Sequence, residues 1–164
     1  MSHHKCRQVT EQVANLLQQA KLKLATAESC TGGWIACEVT ALSGSSQWFE
    51  RGFVTYTNQS KQDMLGVNAE TLRQYGAVSE QTVREMAQGA LSNSQADVSV
   101  AVSGIAGPGG GSEEKPVGTV WIAWALGSKM KASLFSFDGD REQVREQAVM
   151  ASLKGILELI KING

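Results

Sequence analysis

Histidine is the residue type whose scarcity is most informative in this sequence. Only His3 and His4 are present among 164 residues, in a terminus that we expect to be mobile. Serine and cysteine hydrolases commonly rely on a histidine base, and no such base is available here. A histidine-rich metal site is disfavoured for the same reason, so we expect no metal. A serine nucleophile in this chain must therefore pass its proton to another kind of group.

Cysteine, net charge and long apolar runs are also limited. The three cysteines, Cys6, Cys30 and Cys37, show no C-x-x-C spacing, which argues against a disulfide framework or a thiolate zinc site and predicts a cytoplasmic location. A formal net charge of −1 leaves no basic surface for nucleic acid. No apolar run approaches the roughly 20 residues of a membrane span, and the polar segment 1–8 is not a secretory signal. We therefore expect neither a nucleic-acid nor a membrane partner.

The chain length fits one domain. We expect residues 1–164 to form it, with an ordered core at about 8–162. Periodicity predicts helices at 10–20, 34–42, 60–65 and 69–75, one capped by Ser79 and one by Asp140, and strands at 22–27, 52–56, 98–102, 117–126 and 132–137. The strands and helices alternate, and a hairpin follows. This order predicts an α/β fold, a single-domain three-layer α/β/α sandwich around a mixed sheet.

The segment Thr26–Gly33 carries the strongest chemical signal. A strand that breaks into a helix over small residues exposes backbone N–H groups, which suit an anion or an oxyanion. A serine at such a turn can be a nucleophile, as in several unrelated folds, so Ser29 is the first candidate. Cys30 is the rival, because a helix N-terminus favours a thiolate. The alternative is a plain connection in which Ser29 or Thr31 is the N-cap.

A glycine-dense loop, 103–116, follows the predicted strand 98–102. Glycine allows backbone to approach a ligand closely, and the loop lacks both the Walker A and the dinucleotide-binding spacing. We interpret it as a ligand-contacting loop rather than a flexible surface loop, because it leaves the end of a strand.

Three basic residues are further candidates. Lys61 is either a solvated surface charge or a lysine in a cleft, where desolvation would make it a general base. Arg141 and Arg145 lie four residues apart at the start of the last helix, where mutual repulsion and the helix dipole both oppose them. An anionic ligand would explain this placement, and so would pairing with Glu142 and Glu146.

Six motifs occur in a fixed order between about residue 10 and residue 160. They are T-A-E-S-C-T-G-G at 26–33, G-S-S-x-W-F-x-R-G-F-V-T-Y at 44–56, G-A-V-S-E at 76–80, S-G-I-A-G-P-x-G-G at 103–111, K-P-V-G-T-V at 115–120 and G-D-R at 139–141. Together they closely resemble the CinA C-terminal domain family, in particular its stand-alone bacterial members, the nicotinamide-nucleotide amidases.

The resemblance implies hydrolysis of the carboxamide of nicotinamide mononucleotide to nicotinate mononucleotide and ammonia, in pyridine-nucleotide recycling and without a cofactor. By motif, Ser29 would be the nucleophile and Lys61 the general base, with Tyr56 and Ser46 close to them. Arg145 would hold the phosphate, and the role of Arg141 is less defined. The full set of substrate-binding residues expected in this way is Cys30, Thr31, Gly32, Ser46, Ser103, Gly104, Arg141 and Arg145.

The family also implies a homo-oligomer, for which we expect a dimer. Two other functions stay open at this point. One is a ligand-binding or regulatory module with a degenerate site, and the other is a cysteine hydrolase that uses Cys30.

Overall fold

Helices and strands alternate along most of the chain. The computed structural model describes residues 3–163, and the predictions for residues 1, 2 and 164 lie outside this range. In chain order the elements are α1 (His3–Ala20), β1 (Leu24–Glu28), α2 (Trp34–Thr40), a 3₁₀ helix (Ser45–Gln47), β2 (Phe49–Val54), α3 (Asn58–Leu65), α4 (Ala69–Tyr75), α5 (Glu80–Ser92), β3 (Val98–Gly104), β4 (Thr119–Leu126), β5 (Lys129–Ser136) and α6 (Arg141–Asn163).

The five strands form one mixed sheet in the order β2-β1-β3-β4-β5. β1 lies parallel to both β2 and β3, whereas the pairs β3–β4 and β4–β5 are antiparallel. Parallel neighbours need crossover connections, which α2 to α5 provide, and the antiparallel pair β4–β5 needs only the turn at Gly127-Ser128. The mixed sheet and the terminal hairpin predicted from the sequence are both confirmed.

Helices cover both faces of the sheet. α1, α2 and α6 bury one apolar cluster, to which β3 contributes Val98, Val100 and Val102. α3, α4 and α5 bury the other, to which β3 contributes Ala101. This alternation along β3 is the period-2 pattern of a strand buried on both sides. The three-layer α/β/α arrangement is therefore confirmed. Within residues 3–163 no helix is long and apolar enough to cross a membrane.

Two helix starts agree with the capping residues expected from the sequence. The Ser79 hydroxyl accepts a hydrogen bond from the Thr82 amide at 3.2 Å, and the Asp140 carboxylate accepts one from the Gln143 amide at 2.9 Å. Each side chain satisfies a backbone donor that the first turn leaves free, which is typically worth about 1 kcal/mol.

Several predicted boundaries are wrong by two residues or more, and two of the differences have a clear physical reason. α1 begins at His3 rather than near residue 10, because buried Cys6 continues the apolar stripe of Val13 and Leu17 toward the N-terminus. The second strand ends at Val54 rather than Tyr56. The Thr55 amide still donates to the Glu28 carbonyl at 2.8 Å, but the carbonyl oxygens of Thr55 and Tyr56 accept hydrogen bonds from a lysine rather than from a strand.

Candidate active site

A cavity of about 230 Å³ lies at the carboxyl ends of β1, β2 and β3. Parallel strands end at a common edge, so segments distant in sequence meet there. The predicted site residues that line the cavity are Ser29, Cys30, Tyr56, Lys61, Ser103, Gly104 and Arg141. The sequence predicts that the candidate nucleophile and the glycine loop each follow a strand, and both lie at this edge of the sheet.

A hydrogen bond joins the two central candidates. Lys61 Nζ donates to Ser29 Oγ at 3.0 Å, and also to the carbonyl oxygens of Thr55 at 2.8 Å and Tyr56 at 3.4 Å. Lys61 is only 1% exposed, and this burial lowers its pKa from 10.5 to about 8. A lysine with such a pKa is neutral in a useful fraction of molecules near neutral pH, which a general base requires.

The start of α3 holds Lys61 in place. Thr57 and Ser60 form a reciprocal capping box, in which each side chain accepts a hydrogen bond from the other residue's backbone amide. Lys61 follows directly, in the first turn of the helix, with its side chain directed at the end of β1. The sequence T-N-Q-S-K thus encodes both the helix start and the position of the amine.

A buried carboxylate shapes the turn that carries Ser29. Glu28, fully buried, accepts hydrogen bonds from the Thr31 hydroxyl at 2.6 Å and from the amides of Ile35 at 2.8 Å and Ala36 at 3.0 Å. The N-cap of α2 is Gly33, at φ 100°, which makes no side-chain cap. The alternative in which Ser29 or Thr31 is the N-cap is therefore wrong. Glu28 caps the helix from the preceding strand, and this leaves the Ser29 hydroxyl for Lys61.

Arg145 supports the same turn from outside the cavity. Its Nε donates to the Cys30 carbonyl at 3.0 Å and its Nη2 to the Thr31 carbonyl at 3.1 Å. The guanidinium carbon also lies 5.4 Å from the centroid of the Trp34 ring, which is cation–π distance. These contacts bring the start of α6 onto the Ser29 turn.

Arg141 is the arginine that lines the cavity. Its Nη1 donates to the Gly107 carbonyl at 2.9 Å and its Nη2 to the Tyr56 hydroxyl at 3.2 Å. Tyr56 is 59% exposed, so the Arg141–Tyr56 pair lies at the open rim of the cavity. A cationic rim suits an anionic group of a ligand whose reactive end enters toward Ser29.

Three other predicted residues do not reach the cavity. Thr31 is buried with its hydroxyl on Glu28, and Gly32 lies in the turn beside Arg145, with φ 58°. Ser46 lies in the 3₁₀ helix before β2. The whole of β2 separates it from Lys61, so the expectation that Ser46 is close to the Ser29–Lys61 pair is not met within one chain.

Cys30 lines the cavity but is poorly suited to react. The residue is 6% exposed, and burial raises the pKa of its thiol to about 11. The nearby Arg145 opposes this shift without overcoming it. A thiol with this pKa is almost entirely protonated at neutral pH, and the thiolate is the nucleophilic form.

Sequence reasoning missed Glu28 and three cavity residues, Asn58, Ala77 and Val78. Ala77 and Val78 belong to the G-A-V-S-E motif. That motif contributed to the family resemblance, but it did not predict that these residues line the cavity. Asn58 lies one helical turn before Lys61. Among the described residues, no group of three or more histidine, cysteine or acidic side chains could hold a metal ion.

The fold and the cavity define a class: an α/β protein in which a serine after one parallel strand is hydrogen-bonded to a buried lysine after the next. The chain belongs to the CinA C-terminal domain family, whose model matches residues 6–160. The nicotinamide-nucleotide amidohydrolase PncC of Escherichia coli K12 is 53% identical over 155 residues, which are 94% of each chain. The protein of the same name from Pseudomonas putida is 52% identical over 87% of this chain and 89% of its own.

Solved structures agree with this assignment. The crystal structure of the competence/damage inducible protein CihA from Agrobacterium tumefaciens is 45% identical, with a TM-score of 0.91 over 97% of this chain and 96% of its own. A CinA superfamily protein from Klebsiella pneumoniae is 38% identical, with a TM-score of 0.92 over 95% of this chain and 98% of its own.

Proposed function

We propose that this protein hydrolyses the carboxamide of nicotinamide mononucleotide and releases nicotinate mononucleotide and ammonia. The observation that carries the proposal is the 3.0 Å hydrogen bond from Lys61 Nζ to Ser29 Oγ. It occurs in a chain that is 53% identical to relatives named nicotinamide-nucleotide amidohydrolase. The reaction needs only water besides the substrate, so no cofactor is required.

In this proposal Ser29 is the nucleophile and Lys61 is the general base. The neutral amine takes the hydroxyl proton as Ser29 Oγ attacks the carboxamide carbon, which gives a tetrahedral intermediate and then an acyl-enzyme. The carbonyl oxygens of Thr55 and Tyr56 fix Nζ beside the hydroxyl. A serine–lysine pair replaces the histidine-based arrangement that the composition makes unavailable.

Backbone amides near Ser29 are the proposed oxyanion donors. The Gly32 amide donates to the Ser29 carbonyl and the Ile105 amide to the Thr119 carbonyl, so both are already used. The amide of Ala106, a residue that lines the cavity, has no such acceptor within the described part of the chain. Preorganised donors of this kind typically contribute about 3–4 kcal/mol to the transition state.

The proposed site of the substrate phosphate is the rim of the cavity. Arg141 and the Tyr56 hydroxyl lie at the cavity mouth, and we assign the substrate phosphate to Arg141. Arg145, for which the sequence suggested that role, uses two of its donors on the carbonyl oxygens of Cys30 and Thr31. We assign to it the support of the nucleophile turn.

The remaining assignments concern assembly and location. We propose that the protein is a homodimer in the cytoplasm. The family resemblance implies the dimer. A cytoplasmic location is favoured by three unpaired cysteines, Cys6, Cys30 and Cys37. Sedimentation of the purified protein at micromolar concentration measures the assembly state directly.

An ammonia-release assay tests the function. Nicotinamide mononucleotide, nicotinamide riboside and free nicotinamide are compared at equal concentration. We expect turnover of the mononucleotide and a large loss of kcat/KM without the phosphate. Calorimetric binding of the mononucleotide without ammonia release would instead establish the regulatory-module alternative.

A further inference from the structure

Ser103 is the sheet neighbour of the proposed nucleophile. β1 and β3 pair as far as Glu28 opposite Val102. The Ser29 amide then extends the pairing by donating to the Val102 carbonyl at 3.0 Å. Ser29 and Ser103 are thus the next residues along two adjacent parallel strands, which lie about 4.8 Å apart.

Both serine side chains project toward the same helices. The Ser99 hydroxyl on β3 donates to the Ala87 carbonyl of α5, and Ser103, four residues further along the strand, faces the same side. The Ser29 hydroxyl contacts Lys61 of α3, which belongs to that same helical layer. Accordingly, both serines line one cavity.

The Ser103 hydroxyl has no assigned partner. Ser103 is 1% exposed, and its hydroxyl has no hydrogen bond within residues 3–163. The hydroxyl oxygens of Thr26 and Thr55 are fully buried without a partner, but neither residue lines the cavity. The Ser103 oxygen is not among these fully buried atoms, and Ser103 lines the cavity. Its hydroxyl is therefore available to a substrate that enters the cavity.

Amide hydrolysis needs a group of this kind. The departing nitrogen must gain a proton, because an amide anion is too basic to leave. After the attack Lys61 carries the proton taken from Ser29, but its hydrogen bonds run to Ser29 and to two carbonyl oxygens, so a second hydroxyl is needed to relay the proton to the nitrogen. The Tyr56 hydroxyl is bound to Arg141 at the rim. Ser103 remains as the buried hydroxyl next to the carbon under attack.

We propose that Ser103 is a catalytic residue that binds the carboxamide nitrogen and passes the leaving proton to it. This role rests on the proposed function. As the Ser29 Oγ–carbon bond forms, Lys61 takes the Ser29 proton. As the carbon–nitrogen bond breaks, the Ser103 hydroxyl gives its proton to the nitrogen and takes the proton held by Lys61. Ammonia leaves, Lys61 is neutral again, and the acyl group remains on Ser29.

Two substrates that differ only in the leaving group test this role. One is nicotinamide mononucleotide, and the other is the S-methyl thioester of nicotinate mononucleotide, whose thiolate leaves without a proton. Ser103→Ala should lower kcat/KM for the amide by about 10²–10⁴-fold, the usual range for a lost proton-transfer group, and for the thioester by less than about 10-fold. Both substrates form the same acyl-enzyme, so the difference isolates the leaving-group step.

Ser99→Ala is the matched control, because it removes another buried hydroxyl from the same strand and face. We expect it to lower the melting temperature, since it breaks the bond to Ala87, and to leave the ratio of the two kcat/KM values unchanged. Ser103→Ala should leave the melting temperature nearly unchanged. Equal losses on both substrates, or no loss on either, would overturn the role of Ser103. A wild-type protein inactive on the amide would instead overturn the proposed function.

Discussion

Lys61 links burial to reactivity at the scale of a single residue. Because its pKa is lowered to about 8, the neutral base becomes the major form only above that pH. We expect kcat/KM to rise with pH and to level off above an apparent pKa of about 8. A rate profile from pH 6 to 10 measures this.

Lys61→Arg is the control for this profile. Arginine keeps a cation at the position but does not lose its proton in this range, so activity should be lost at every pH. A wild-type profile that is flat across pH 8 would contradict the assignment of Lys61 as the base.

Ser29 and Cys30 can be separated as nucleophiles. Ser29→Ala should lower kcat by at least about 10³-fold with the circular dichroism spectrum unchanged, because removal of a nucleophile removes the covalent route. Cys30→Ser should keep most of the activity, since burial holds the Cys30 thiol protonated. Loss of turnover in Cys30→Ser together with retained turnover in Ser29→Ala would transfer the role to Cys30.

The two arginines of α6 should differ in kind. Arg141→Ala should raise KM for the mononucleotide about tenfold or more with a smaller change in kcat, since charge-assisted contacts to a phosphate are strong. Arg145→Ala should lower both kcat and the melting temperature, because Cys30 and Thr31 lose the donors to their carbonyl oxygens. The reverse pattern would restore the phosphate role that the sequence suggested for Arg145.

At the scale of elements, the junction between β1 and α2 depends on Glu28. Glu28→Gln should reduce the free energy of unfolding by about 1–3 kcal/mol. A glutamine side chain has one oxygen that accepts and one NH2 group that donates, whereas Glu28 accepts from three donors. At least one of these three donors therefore loses its hydrogen bond. Chemical denaturation measures the change.

Glu38→Gln is the matched control on the same helix. The Glu38 carboxylate accepts from Trp34 Nε1 at 3.2 Å, and a glutamine carbonyl can accept the same bond, so we expect a much smaller effect. Equal destabilisation by the two substitutions would show that Glu28 has no special place in the junction.

Local patterns predicted most elements well. α4 occupies 69–75 as expected, and the caps at Ser79 and Asp140 are correct. The early start of α1 was missed because Lys5 and Arg7 flank buried Cys6 and obscure the apolar stripe. The Glu28 cap was missed because it reaches forward from a strand, whereas standard capping patterns place the acceptor at the helix start itself.

At the scale of the whole molecule, the sheet order decides which residues meet. The sequence predicted α/β alternation, but it did not predict that β1 lies between β2 and β3. That order brings Ser29, Lys61 and Ser103 together. It also sends Ser46 to the opposite end of β2, which motif spacing alone does not reveal. Arg141 and Arg145 also differ because of where they lie. They are one helical turn apart on α6, so Arg141 reaches the cavity rim and Arg145 reaches the turn that carries Ser29.

Chemistry rather than volume singles out the candidate site. A larger groove of about 530 Å³ lies between β5 and α6, lined by Trp124, Phe135 and Phe137 among others. It shares no lining residue with the cavity that holds the Ser29–Lys61 hydrogen bond. The smaller cavity of about 230 Å³ contains that bond and the rim arginine, and both features bear on amide hydrolysis.

The burial of Lys61 also has a consequence for folding. Its amine has a pKa of about 8 in the folded chain and an ordinary value of 10.5 when the chain is unfolded. Between these values the unfolded state binds more protons, so stability rises with pH through this window. Below pH 8 the folded chain bears the full cost of a buried charge. The burial that lowers the pKa of Lys61 therefore also lowers the stability of the fold at neutral pH.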